Sequence, residues 1–65
     1  MKLIVNASPR EVQASTLDAA LGELGFEPQA TATALNGAFI PRDARAETVL
    51  NDGDRLEVLA PMQGG

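Results

Sequence analysis

The side chains that enzymes use as nucleophiles and bases are scarce in this chain of 65 residues, which has no cysteine and no histidine. That removes thiolate and imidazole chemistry, and with it the commonest metal ligands. The hydroxyls of Ser8, Ser15, Thr16, Thr31, Thr33 and Thr48 have no such base to activate them. Among the carboxylates one cluster stands out, Asn51-Asp52-Gly53-Asp54. It begins like a calcium loop, but the liganding acids such a loop needs further along are missing, so no metal site is expected and a tight turn is. Leu35-Asn36-Gly37-Ala38-Phe39 has a glycine but no phosphate-binding spacing. These absences argue against a self-sufficient enzyme and leave one reactive group, the α-carboxylate of Gly65, which follows Gly64. Without Cβ atoms, such a tail fits a slot too narrow for other residues, so a partner's catalytic groups can close on the carboxylate.

Whatever presents that carboxylate must be small. The chain is read as one domain, 1–65, with a tail at 61–65, and a domain of this length buries only about 60% of the surface its unfolded chain exposes. Its composition is globular, with 45% hydrophobic and 22% charged residues. No run approaches a membrane span and no basic-then-apolar leader is present, which predicts a soluble, cytoplasmic protein without a membrane partner. The formal net charge is −4, the basic residues Lys2, Arg10, Arg42, Arg45 and Arg55 are scattered, and the only aromatics are Phe26 and Phe39. Nucleic acid, which selects clustered cations and stacking rings, is therefore not an expected partner.

Periodicity supplies the elements. Residues 2–6 form an apolar, β-branched strand, 7–10 a turn around Pro9, and a returning strand from Glu11 completes a hairpin over 2–13. Ser15 is the expected N-cap of a helix over 16–24, with Leu17, Ala20, Leu21 and Leu24 on one apolar stripe and Gly25 as its left-handed stop. Asn36-Gly37 predicts a two-residue type I′ hairpin turn within 31–41, ended by Pro41. A polar crossover with one helical turn near Glu47 leads to the turn at 51–54 and a final alternating strand, 55–60. The first and last strands, both apolar, are expected side by side and parallel at the centre of a mixed four- to five-stranded α+β sheet with the helix across one face. Leu3, Val5, Leu17, Leu21, Leu24, Leu50, Leu56 and Val58 are the expected core. The same alternation turns Glu57 and Leu59 outward, which makes Leu59 a candidate docking residue beside the tail.

Three motifs then carry a resemblance that spans the whole chain: Leu35-Asn36-Gly37-Ala38-Phe39-Ile40-Pro41-Arg42, the run Leu50–Leu59 built on Asp52-Gly53-Asp54, and the terminal Gly64-Gly65. With them the chain resembles the ubiquitin-like β-grasp sulfur carriers, the ThiS/MoaD family, and within it most closely the carriers of thiamine biosynthesis. Gln63 departs from the third glycine found in many thiamine carriers. Pro61 is similar to the approach to Gly-Gly in the small subunit of molybdopterin synthase, so that sister function remains an alternative, as does a ubiquitin-like protein modifier. The resemblance implies a β-grasp fold with a flexible Gly-Gly tail and a co-substrate role. An E1-like adenylyltransferase (ThiF-type), using ATP and Mg, would adenylate Gly65, and a cysteine-fed sulfur donor would convert it to a thiocarboxylate. Thiazole synthase (ThiG-type) would then take the sulfur. Gly64, Gln63 and Met62 would be recognised as the tail, and the carrier itself would bind no cofactor.

Residues beyond Pro61 have almost nothing to bury. Backbone amide relaxation should give Gly64 and Gly65 lower order parameters than residues 55–60, and equal values would contradict a free tail.

Overall fold

Leu3 and Val5 near the start, and Leu56 and Val58 near the end, place apolar side chains at every second position and so commit two strands to one buried face. In a computed structural model, which describes residues 1–60, they are β1 (Lys2–Val5) and β5 (Arg55–Leu59). The remaining strands are β2 (Ser8–Glu11), β3 (Ala32–Leu35) and β4 (Ala38–Ile40), and the helix α1 spans Leu17–Leu24. The five strands form one sheet in the order β2-β1-β5-β3-β4. As expected from their apolar character, β1 and β5 run parallel, with Val5 opposite Leu56, while the other neighbours are antiparallel. The expectations for the tail 61–65 lie outside the described residues.

Between the sheet and α1 lie Leu3, Val5, Val12, Leu17, Ala20, Leu21, Leu50, Leu56 and Val58, all buried. Leu24, expected in the core, is only half-buried at its margin, because it sits on the helix's last turn as the chain leaves the sheet. Val12 takes a core position instead, being held beside the start of β1 by its N–H, which donates to the carbonyl of Met1 at 2.8 Å.

Two local readings are corrected. The first hairpin turns at Asn6 and Ala7, both at positive φ (49° and 71°), rather than around Pro9. Pro9 lies inside β2, opposite Ile4. Since the Val12–Met1 bond fixes the antiparallel alternation, Pro9 falls where a residue's N–H would point away from β1, off the edge of the sheet, and no ladder bond is lost. The helix is capped by Thr16, not Ser15: Thr16 Oγ1 accepts from the Ala19 N–H at 3.4 Å. A bridge to Val49, flanked by Leu17 N–H to Thr48 O and Leu50 N–H to Ser15 O, holds Thr16 extended, so the first helical residue comes one later. Gly25 is the left-handed stop, at φ 88°. Asn36 and Gly37 form the expected turn, with φ of 52° and 87°. The crossover contains a 3-10 helix over Arg42–Glu47, and a shorter one covers Pro28–Ala30.

Arg45, one of the scattered cations, is buried at 2% exposure. Its guanidinium donates to the carbonyls of Pro28 and Thr31, each at 2.7 Å, and to Thr33 Oγ1 at 3.2 Å. It thereby ties both 3-10 turns to β3, with every bond charge-assisted. Replacing it by methionine keeps the volume but leaves those acceptors dry. Arg45→Met should lower the unfolding free energy by about 2–3 kcal/mol in urea titrations. An unchanged midpoint would mean that the network contributes nothing.

Candidate functional site

The tail is attached to β5, so the geometry of that strand decides where the tail starts. β5 is central, and both of its edges must be hydrogen-bonded. Along β3, Asn36 N–H donates to Arg55 O at 2.8 Å, and the antiparallel alternation directs Glu57 and Leu59 to the same neighbour. The even-numbered residues face β1. There Ile4 N–H reaches Asp54 O and Asn6 N–H reaches Leu56 O, each at 2.9 Å, and then the backbone of β1 turns away.

Side-chain amides complete what the backbone leaves open. Asn6 Oδ1 accepts from Val58 N–H at 2.9 Å, and its Nδ2 donates to Val58 O at 3.2 Å. At the other end, Asn36 Oδ1 accepts from Arg55 N–H at 2.9 Å and Nδ2 donates to Asp54 Oδ1 at 3.1 Å. The turn before β5 uses its acids in the same way. Asp54 Oδ2 accepts from Asn51 N–H at 2.8 Å and Asp52 Oδ1 from Lys2 N–H at 2.7 Å. The turn reading of residues 51–54 therefore accounts for both carboxylates. Among the described residues no three acidic side chains are grouped to hold a metal ion.

Alternation splits β5 into two faces. Leu56 and Val58 lie under the helix, while Leu59 stands on the open face at 72% exposure. It is not alone there. Phe39 on β4 is 68% exposed, and the pairings Leu59–Ala32 and Ala34–Phe39 bring these residues into one apolar surface. Together with Asn6 and Glu57 they line a shallow depression of about 350 Å³. The outward face of Leu59 was legible from the alternation, whereas Phe39, whose neighbours depend on a register across two strand pairs, was not singled out. The other expected site residues, Met62, Gln63, Gly64 and Gly65, lie outside the described residues. Arg42, a strand-end charge by its position, donates to Gln29 O at 3.3 Å and is not on this surface.

The ThiS family profile matches residues 3–65. The sulfur carrier protein ThiS of Thermus thermophilus is 40% identical, and the match covers 94% of this chain and 95% of that one. Thiazole synthases of Paramagnetospirillum magneticum and Magnetococcus marinus are 41% and 35% identical over all of this chain, which spans only 20% of their length. A crystal structure of the thiamine biosynthesis protein ThiS from Geobacter metallireducens superposes with a TM-score of 0.82 at 32% identity, both chains being covered in full. Its solution structure gives the same score.

The two faces of β5 respond oppositely to charge. Leu59→Asp and Phe39→Asp should each change the unfolding free energy by less than about 1 kcal/mol, because both side chains are already in water. Leu56→Asp should prevent folding, since it buries an unpaired carboxylate. Urea titrations and circular dichroism would report both, and loss of the fold in Leu59→Asp would mean the strand's faces are reversed.

Proposed function

The chain belongs to the ThiS family, and from that premise we propose that it is a sulfur carrier of thiamine biosynthesis whose working group is the carboxylate of Gly65. The observation that carries this reading is a match along residues 3–65, glycine pair included, in a chain that has neither cysteine nor histidine. With no thiol and no imidazole of its own, the protein leaves the chemistry to partners and supplies a carboxyl end. An E1-like enzyme with MgATP joins a Gly65 oxygen to the α-phosphorus and releases pyrophosphate. Hydrosulfide drawn from cysteine then attacks the acyl carbon, AMP departs with the bridging oxygen, and the S–H proton is lost to solvent. The resulting thiocarboxylate donates its sulfur to the forming thiazole in the cytoplasm.

Thiazole synthase as the acceptor is supported by two proteins of that name in which a stretch like this whole chain occupies a fifth of the length. Covalent linkage of a carrier to the enzyme it serves raises their effective concentration. The open sheet face, with Leu59 and Phe39 exposed beside the strand that leads to the tail, is the docking surface we assign to these enzymes. Leu59→Asp should weaken binding there.

Both methionines are thioethers, so a thiocarboxylate on Gly65 would be the sole sulfur nucleophile of the molecule. Iodoacetamide at mild pH should leave the untreated protein unlabelled. After incubation with a ThiF-type enzyme, MgATP and a sulfur source, intact mass should rise by the difference between sulfur and oxygen, and one label should add per chain. Deleting Gly65 should abolish both changes. No label while the enzyme turns over ATP on this chain would refute the assignment.

A further inference from the structure

The parallel ladder between β1 and β5 continues one step further than the backbone of β1 does. Asp54 O and Leu56 O each receive a backbone N–H from β1, and the next carbonyl in the series, Val58 O, receives Asn6 Nδ2 instead. Val58 N–H is likewise taken by Asn6 Oδ1 rather than by a main-chain carbonyl. A carboxamide carries the same donor and acceptor as a peptide group, so Asn6 acts as a surrogate strand residue. Aspartate offers acceptors only. The cost is accepted in the backbone, since Asn6 and Ala7 hold the turn at positive φ and Ala7 is a residue that disfavours it. Without the clamp, both main-chain groups of Val58 would lose their partners on that side, one residue before Leu59.

We infer that Asn6 is a positioning residue for the reaction at the C-terminus. By pinning Val58, it fixes the end of β5 and, one residue on, the placement of Leu59 in the depression that Asn6 also lines. The role rests on the adenylation reading of Gly65, since the enzyme that would activate that carboxylate is the one assigned to dock beside Leu59. Asn6 touches no reacting atom. Its effect passes through Val58.

Asn6→Gly removes the clamp but suits the φ of 49° at that position. Val12→Ala serves as a matched control, because it weakens the core away from the open face. With the full chain, a ThiF-type enzyme and MgATP, carrier-dependent exchange of radiolabelled pyrophosphate into ATP gives kcat/KM for each variant at equal folded fraction. Asn6→Gly should lower it about tenfold while Val12→Ala stays within about twofold. Amide hydrogen exchange at Val58 should accelerate relative to Leu56 in Asn6→Gly alone. Should Asn6→Gly be too unstable, adding Ala7→Gly relieves the positive-φ strain and carries the same comparison. Equal losses in Asn6→Gly and Val12→Ala, or none in Asn6→Gly, would overturn the positioning role while leaving the adenylation reading intact. Absence of exchange with the wild-type chain would overturn both.

Discussion

A central strand that must be hydrogen-bonded on both edges governs this fold. β5 is flanked by β1 and β3, yet neither neighbour's main chain matches it from end to end, because each turns away into a hairpin. Both hairpin turns place an asparagine at positive φ beside β5, Asn6 near its end and Asn36 at its start. Their amides complete the ladder where the backbone cannot. Left-handed backbone is thus coupled to strand pairing across 52 residues of sequence separation at Asn6.

The rest of the molecule is organised around that strand. A helix of eight residues is too short to be stable alone, and it persists because Leu17, Ala20 and Leu21 are buried against Leu56, Val58 and their neighbours. Arg45 performs a complementary task beside β3, where the 3-10 turn over Pro28–Ala30 and the residue after it present the carbonyls of Pro28 and Thr31 to its guanidinium. Among the described residues no buried side-chain nitrogen or oxygen lacks a partner.

Function draws on the same division. The face of β5 under the helix supplies stability, and the open face is free to carry apolar side chains that contribute little to folding. Leu59 and Phe39 lie there, exposed together on one apolar surface outside the buried core. Under the proposed function, a carrier recognised by more than one enzyme would gain from this arrangement. The exposed side chains of that face can vary without altering the core.

Some of this was decided by the sequence alone. The absence of cysteine and histidine, the terminal Gly64-Gly65, the Asn36-Gly37 turn, the Gly25 stop and the apolar alternation of the first and last strands are local signals, set by conformational preference within a few residues. They sufficed for the succession of elements along the chain, for the parallel pairing of the first and last strands and for the outward face of Leu59. Other features were settled only by contacts far apart in the chain. The bridge from Thr16 to Val49 moved the helix cap from Ser15. Edge position let Pro9 enter a strand rather than make a turn. Cross-strand register joined Phe39 to Leu59, and converging carbonyls made Arg45 a buried staple. Asn6 shows the reason most plainly: a side-chain amide next to a turn reads locally as turn chemistry, and only the arrival of Val58 alongside it turns that amide into part of a sheet.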